Sequence, residues 1–452
     1  MNGNEPTRRR FLQRSAAASV AVAAPYVVPA TVFGAAAPSN RINLACIGLG
    51  NQGIPNLKRF LDEKDCTVVA VCDVNRGSHG YKNPKDFYGR EPARELVEKA
   101  YAKKRPSGAY TGCDAYNDFR EVLAREDVDA VVITTPDHWH AKQTVLAAEA
   151  GKDVYCEKPL GLTIDDQKQM VDAVRKHDIV LQTGSHERSN PYIKKACELV
   201  RSGAIGKVHR VIANVGRHNK VGPGPGWAPE TPHEGFDYDM WLGPAPEVPY
   251  HSARCLYNFR FNYDYAGGQV ANFGAHSIDI AQWGLGTDDT GPVEVERVYA
   301  DFLPEGSLFN AATYTYFRCK YASGTVLECQ TSDPAVRTVF EGDDGVIRID
   351  SQAQNFATIP ASLADAAGEF PRSYRSNVDH QRNFLDCVKT RDQPNAPVDV
   401  GHRSATICHL GNIACRLGGK YRWDPSAEQF EGKNSEAATA LLAASQRRGW
   451  EA

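Results

Sequence analysis

Three glycines at G-x-G-x-x-G spacing, Gly48-Leu49-Gly50-Asn51-Gln52-Gly53, follow directly on the apolar run Ile42-Asn43-Leu44-Ala45-Cys46-Ile47. The spacing suits the holding of a pyrophosphate. Gly48 permits a tight turn, Gly50 lets the backbone approach the phosphates, and Gly53 allows a helix to pack closely on the strand. Asn51 and Gln52 fall where that helix begins, and there the backbone amides and the helix dipole favour negative charge. Asp73 stands 20 positions after Gly53, at the end of Val68-Val69-Ala70-Val71-Cys72. Its carboxylate would accept hydrogen bonds from adenosine ribose hydroxyls and repel a 2′-phosphate. NAD is therefore the expected cofactor; nearby Arg76 leaves NADP open.

Thr134-Thr135-Pro136-Asp137-His138-Trp139-His140 closes a later apolar run and begins a helix. This puts Thr135, Pro136 and His140 at the carboxyl edge of a parallel sheet, where ligands of such sheets sit. His138 and His140 share one turn with no third ligand, so no metal is expected, and cofactor contact or helix capping is the expected role. Another apolar run, Asp153–Cys156, leads into Glu157-Lys158-Pro159. Together with the glycine fingerprint, this resembles the glucose–fructose oxidoreductase and inositol dehydrogenase family (Gfo/Idh/MocA). The resemblance covers roughly residues 41–425. Tyr238-Asp239-Met240-Trp241-Leu242-Gly243-Pro244, the stretch from Gly267-Gly268 through His276 to Trp283, and Gly401-His402-Arg403-Ser404 are similar to the family's exported members. The likeness implies that Glu157 lies at the cofactor and that Lys158 points at the nicotinamide and the substrate hydroxyl. An ammonium there would stabilise a developing alkoxide or polarise a carbonyl. A cis Lys158–Pro159 bond is also implied.

The family carries an Asp-x-x-x-His pair in its second domain, with the histidine as acid/base. This chain has Asn272-Phe273-Gly274-Ala275-His276, so the histidine matches and the aspartate does not. Asn272 can orient an imidazole but lends it no negative charge. Asp279, three residues beyond His276 and on the same face of a helix, is the expected substitute or a sugar ligand. His276 is expected to act as general base, with substrate binding alone as the alternative. Ser185-His186-Glu187-Arg188 follows a strand end at the same sheet edge, and Arg260 and Tyr263 sit in the aromatic stretch 257–263. His186, Arg188, Arg260 and Tyr263 are thus candidate sugar contacts, offering apolar stacking and polyol hydrogen bonds together. The expected reaction is hydride transfer between a sugar or polyol carbinol and nicotinamide. One alternative is a glycosidase or lyase that uses NAD transiently. A second is a non-catalytic nucleotide-binding protein, motivated by Asn272.

These groups need a scaffold. Runs rich in Val and Ile at 41–47, 67–73, 128–134, 153–157 and 179–183 alternate with helical patterns at 118–125, 140–150 and 165–176. They predict an α/β Rossmann domain, a doubly wound parallel sheet, over residues 38–184. The stretch 77–117 reads as an insertion beside the nucleotide site, with one charged helix at 91–104. Beyond about residue 205, alternating runs at 207–215, 293–302, 312–321, 325–331, 337–340 and 346–349 predict an α+β domain over 185–430. Its large sheet is mainly antiparallel and open on one face. The proline-rich stretch 221–249 reads as a covering loop, and helices are expected at 377–390 and 400–417. A tail, 431–452, carries a helical pattern at 435–448. Families of this kind associate through the open sheet face, so a homodimer or homotetramer is expected.

Thr7-Arg8-Arg9-Arg10-Phe11-Leu12 opens an apolar run ending in Gly34-Ala35-Ala36-Ala37, the pattern of a twin-arginine signal over residues 1–37. That route carries folded proteins, so the cofactor would be loaded before export, and tight binding is expected where no free nicotinamide pool exists. A periplasmic location follows, with an uncleaved anchor as the alternative; no stable membrane span is expected once the signal is removed. Losing the segment's four arginines and one glutamate takes the formal charge from −3 to −6. A mildly acidic chain without a long Lys/Arg cluster is no nucleic-acid binder. The 12 cysteines show no C-x-x-C spacing, and Cys46, Cys72 and Cys156 sit in apolar runs, as buried free thiols do. Cys319 and Cys329 flank a hairpin turn at Ala322-Ser323-Gly324 and are expected to lie diagonally on one face.

Overall fold

The computed structural model describes residues 41–217, 222–352, 355–365, 376–433 and 435–450. The expected export signal lies outside the described residues. The first half alternates β1 (Ile42–Ile47), α1 (Gly53–Asp62), β2 (Cys66–Cys72), α2 (Arg90–Ala102), β3 (Asp114–Tyr116), α3 (Phe119–Leu123), β4 (Ala130–Ile133), α4 (Asp137–Glu149), β5 (Asp153–Cys156), α5 (Ile164–His177) and β6 (Leu181–Thr183). The strands form one parallel sheet in the order β3-β2-β1-β4-β5-β6. Helices cover both faces, which is why β4 and β5 are buried at every position and read as unbroken apolar runs. The order reverses between β1 and β4, opening a crevice at their carboxyl ends.

Two expectations need correction here. Residues 77–117 are more than an insertion, because α2 is the crossover from β2 to the edge strand β3. That strand is Asp-Ala-Tyr and part-exposed, so no apolar run announces it. Helix α4 begins at Asp137, before the predicted 140, which puts Asp137 and His138 in its first turn.

The second half continues with α6 (Pro191–Arg201), β7 (Val208–Val215), α7 (Tyr238–Leu242), α8 (Gly268–Leu285), β8 (Glu294–Asp301), β9 (Tyr314–Lys320), β10 (Val326–Thr331), β11 (Arg337–Gly342), β12 (Val346–Asp350) and β13 (Asn355–Ile359). There follow α9 (Ser362–Asp365), α10 (Ser376–Thr390), α11 (Val398–Leu417), β14 (Lys420–Asp424), β15 (Gln429–Glu431) and α12 (Glu436–Thr439). Nine strands make a sheet in the order β13-β12-β11-β7-β10-β9-β8-β14-β15, antiparallel except for β7 with β10. Phe317, Cys319, Leu327, Cys329 and Phe340 alternate onto the face that shares a core with residues of α8 and α11. On the other face Arg210 and Arg318 both donate to Glu328, at 2.6 and 3.0 Å, and Tyr299 and Tyr314 are exposed.

Late segments return to the first sheet. Phe384, Leu385 and Cys387 of α10 join the core of the Rossmann fold, where Phe384 packs edge-on against Phe60 and Tyr155. The proline-rich stretch carries the short α7, which lies against α4 through hydrogen bonds to the Trp241 carbonyl. The tail is not the predicted long helix: within 435–450 only Glu436–Thr439 is helical. Its remainder is held by tertiary contacts that override local propensity. Arg447 Nη1 donates to Asp239 Oδ1 at 2.6 Å, and Trp450 meets Trp139 edge-on at 5.3 Å. All 12 cysteines are free and buried, with Cys319 and Cys329 diagonal across β9 and β10. Among the described residues no helix is long and apolar enough to cross a membrane.

Candidate active site

The crevice is a single cleft of about 420 Å³ that runs from Asp73 at one end to Lys158 and His276 at the other. At the Asp73 end the fingerprint is sterically required. Gly48 has φ +85°, and a Cβ there would lie 2.6 Å from the Thr134 backbone; one on Gly53 would lie 2.0 Å from the Gly48 carbonyl oxygen. Asp73 Oδ2 accepts from Leu49 N at 2.6 Å and Oδ1 from Asn75 N at 2.8 Å. Burial raises the Asp73 pKa, against the pull of these two amides and Arg90. Helix α1 opens with no side-chain cap and no acidic residue in its first turn, an unneutralised positive pole facing the cleft. A Cβ-free cradle, an uncapped helix start and a ribose-end carboxylate together fit a dinucleotide.

Asn51, Gln52, Thr135, Pro136 and Glu157 line the same cleft. Glu157 Oε1 accepts from Gln52 Nε2 at 3.1 Å and from Asn56 Nδ2 at 3.0 Å, so it ties α1 to the end of β5. His140 does not reach the cleft wall, and its predicted cofactor contact is corrected. Its Nδ1 lies 2.9 Å from the Pro159 carbonyl and its Nε2 2.9 Å from that of Thr135, a brace behind both loops. Only an imidazolium donates to both oxygens. Burial opposes that charge, but Cys156, Asp137 and the Pro159 carbonyl push its pKa up to about 10.

At the reacting end, Lys158 precedes a cis peptide bond to Pro159. Its Nζ donates to the Asn272 carbonyl at 2.7 Å and to Asn272 Oδ1 at 3.2 Å. Burial lowers the Lys158 pKa, with the Glu157 carboxylate acting the other way. Asn272 and His276 stand one turn apart on α8, facing the cleft. The carboxylate absent from position 272 comes instead from Glu187, in the turn after β6: its Oε2 lies 2.7 Å from His276 Nδ1. Ser351 Oγ donates to Glu187 Oε1 at 2.9 Å, and His186 Nε2 is 3.3 Å from the same oxygen. Burial would raise the Glu187 pKa, but His186 and His276 hold it well below the usual carboxylate range.

Asp279 is neither the substitute nor a sugar ligand. It is fully buried, taking a bidentate guanidinium from Arg188 at 2.8–3.0 Å and a hydroxyl hydrogen bond from Ser404 at 2.6 Å. Arg188 also pairs with Asp288 at 2.8 Å and is absent from the cleft wall, so its predicted substrate contact is corrected as well. Three residues beyond His276 on α8, the Asp279 side chain faces the protein interior, and Arg188, in the turn after β6, is drawn there to pair with it. Tyr263 is likewise displaced. Its hydroxyl accepts from Ala312 N at 3.2 Å, and it lines a different cavity. His186 and Arg260 do line the cleft; Arg260 stacks 3.9 Å from the Tyr257 ring centroid, with its Nε buried and unpartnered.

Two groups escaped the sequence reading. Asp137, buried in the cleft wall, carries a pKa raised by burial against the charges of His140 and Lys158. Glu187 sat in a quoted motif, but no local signal separates it from its neighbours. His186, Glu187 and His276 bring ligand atoms within 4.8 Å of one another, close enough to hold a metal ion. Chiefly burial, and also the His276 and Lys158 charges, lower the His186 pKa.

Residues 42–185 match the NAD-binding Rossmann fold of an oxidoreductase family, and residues 191–452 match that family's C-terminal α/β domain. Scyllo-inositol 2-dehydrogenase (NAD+) of Bacillus subtilis is 24% identical over 367 residues, 78% of this chain and 88% of that protein. Myo-inositol 2-dehydrogenase of Thermotoga maritima is 30% identical over 168 residues, 37% of this chain and 43% of its own length. An α-N-acetylgalactosaminidase of Shewanella oneidensis is 28% identical over 183 residues, covering 39% of this chain and 36% of that protein. These last two matches span less than half of each relative. The fold resembles that of aldose-aldose oxidoreductase from Caulobacter crescentus (TM-score 0.59, 21% identity, 84% of this chain and 99% of that one). It also resembles levoglucosan dehydrogenase in complex with NADH and L-sorbose (TM-score 0.59, 18% identity, 84% and 98%). With both of its domains matched in order, the chain belongs to the Gfo/Idh/MocA oxidoreductase family.

Proposed function

We propose that the protein is an exported NAD-dependent oxidoreductase of sugars or polyols that keeps its cofactor through turnover. The observation that carries this is the continuity of one cleft from Asp73 to the Lys158–Asn272 and Glu187–His276 pairs. NAD, when bound, supplies the acceptor for a carbinol hydride. With Glu187 accepting from Nδ1–H, His276 keeps Nε2 as its basic atom and takes the hydroxyl proton there. The Lys158 ammonium donates to the substrate oxygen and stabilises the alkoxide as the carbonyl forms. In the reverse direction the protonated His276 returns that proton to the substrate oxygen while the Lys158 ammonium stabilises the alkoxide.

Replacement of Lys158 by alanine is expected to slow single-turnover reduction of the bound nucleotide by about 10²–10⁴-fold while leaving the nucleotide in place. Undiminished rates with every active polyol would remove the assignment. Mass spectrometry of gently purified protein is expected to find a nicotinamide nucleotide bound to it. Asp73→Ser is expected to raise use of NADP relative to NAD at least about tenfold, since the repelling carboxylate is gone. Chelating agents are expected to leave turnover unchanged, because the Glu187 carboxylate is engaged by His276 and Ser351.

The Shewanella glycosidase relative favours a second reading. Oxidation at C3 of a glycoside acidifies the C2 proton, elimination expels the aglycone, and water addition with re-reduction restores the sugar and the NAD. Release of aglycone without net NADH would support this cycle, and a stoichiometric ketosugar product would exclude it. Export through the twin-arginine route is tested by fractionation: a periplasmic protein that stays cytoplasmic when Arg8 and Arg9 become lysine is expected. Light scattering of the purified protein tests the proposed homodimer or homotetramer.

A further inference from the structure

Beyond α12 the tail grips two elements that wall the cleft. Arg447 is the anchor. Its backbone N donates to the Pro244 carbonyl and its Nε to the Gly243 carbonyl, both at 2.9 Å. Its Nη1 donates to Asp239 Oδ1 at 2.6 Å and its Nη2 to the Asp239 carbonyl at 3.1 Å. One side chain thus holds α7 and the residues just after it, and Met240 and Trp241 of that helix line the cleft. Trp450 N donates back to the Arg447 carbonyl at 3.0 Å, and the Trp450 indole meets Trp139 of α4 edge-on at 5.3 Å. The Arg120 guanidinium, from α3, stands 5.5 Å from the Trp450 ring centroid, a cation–π contact.

Trp139 is buried and lines the cleft. Its ring meets Phe119 edge-on at 5.4 Å, and its Nε1 donates to the Trp241 carbonyl at 3.0 Å. It also lies flush on Gly243, where a Cβ would stand 2.0 Å from the indole. Apart from Phe119, these neighbours belong to the tail or to the segment that Arg447 holds. Phe119 follows β3, the neighbour of β2, and Asp73 stands at the end of β2. Phe119 and Trp139 therefore wall the end of the cleft marked by the ribose carboxylate, remote from Lys158 and His276. Flat aromatic walls with Met240 beside them suit a purine ring.

We propose that residues 447–450 are a strap that shapes the adenosine slot and retains the dinucleotide, with Trp450 as a positioning residue acting through Trp139. The proposal rests on the assignment of NAD to the cleft. An outgoing adenosine has to part α7 from α4. The strap bolts one to the other, because Arg447 holds α7 while Trp450 packs on α4. Without it the Trp139 ring loses an edge contact and the end of α7 loses four hydrogen bonds. A slot that stands ready for the purine then has to be ordered at each binding event, and that difference falls mainly on release.

The test is release of NADH from the loaded full chain, followed by its fluorescence during a chase with excess NAD. Trp450→Ala, and a chain stopped after Gln446, are each expected to release NADH at least about tenfold faster than the wild type. The emission maximum of bound NADH is expected to stay at its wild-type position, since the nicotinamide end is untouched. A general loosening of the protein would move that maximum towards the value for free NADH. Trp450→Phe keeps an aromatic edge on Trp139 and is expected to release NADH at close to the wild-type rate. Unchanged release from both Trp450→Ala and the shortened chain would overturn the strap and leave the NAD assignment standing. An emission maximum that moves together with faster release would also overturn it, because the tail would then be a general stabiliser. A wild-type chain that binds no NADH would remove both the strap and the NAD assignment. Should the shortened chain fail to fold, Trp450→Ala alone decides.

Discussion

Glu187 reaches His276 across 89 residues of sequence and supplies the charge that Asn272 lacks. The motive for a non-catalytic protein loses its force, because an imidazole oriented by a buried carboxylate needs no aspartate at 272. Two substitutions test the transfer. Glu187→Gln is expected to lower kcat by about 10–100-fold with little change in KM, since the group orients a base and touches no substrate. Adding Asn272→Asp to that variant is expected to recover at least a tenth of the wild-type rate, because the new carboxylate lies one helical turn from His276. A double-mutant cycle in steady-state kinetics measures the coupling, and strict additivity would mean that the two positions do not share this task.

Among the elements, α10 and the turn after β6 do more than their sequence suggests. Helix α10 begins some 190 residues after β6, yet its Phe384 completes the core behind β1 and β5. Phe384→Ala is expected to cost about 3–5 kcal/mol by cavity formation and to weaken NAD binding without touching the cleft; urea denaturation and calorimetric titration check this. The turn after β6 sends neighbouring side chains in opposite directions. His186 faces the cleft, while Arg188 holds Asp279 in the interior. Arg188→Met leaves Asp279 buried and unpaired, so a loss of about 3–5 kcal/mol in chemical denaturation is expected. A substrate ligand would instead alter KM and leave stability unchanged.

On the scale of the whole molecule, buried histidines set the acid limit. Burial lowers His138, His380 and His409 from 6.5 to about 4. Because the folded pKa lies below the unfolded one, the unfolded chain binds more protons between those values. Stability therefore falls as pH drops from about 6.5 to 4 and is flat for these groups above that window. His140 acts in the opposite sense. Its raised value gives stability that is complete below about 6.5 and is lost as pH rises towards 10. Thermal melts across pH 4–10 are expected to show a maximum near neutrality. Equal melting temperatures at pH 4.5 and 7 would contradict the histidine assignments.

Much of this protein was readable from residue order alone, and for a local reason. The glycine fingerprint, the acidic residue after β2 and the Val/Ile runs of the central strands act through neighbours within one βαβ unit, so spacing carries their meaning. The same holds for the alternation of β7 to β12, where one buried face writes itself into every second residue. Strand β3 left no such mark, being short, polar and at an edge, and the tail looked helical because its anchors at Asp239 and Trp139 lie elsewhere in the chain. Site geometry divided along the same line. Lys158 and His276 are positioned by the elements that carry them, whereas Glu187, Asp279, Arg188 and Tyr263 take their directions from partners tens of residues away. Partner choice among several polar side chains is a matter of three-dimensional proximity and burial, and no linear pattern encodes it.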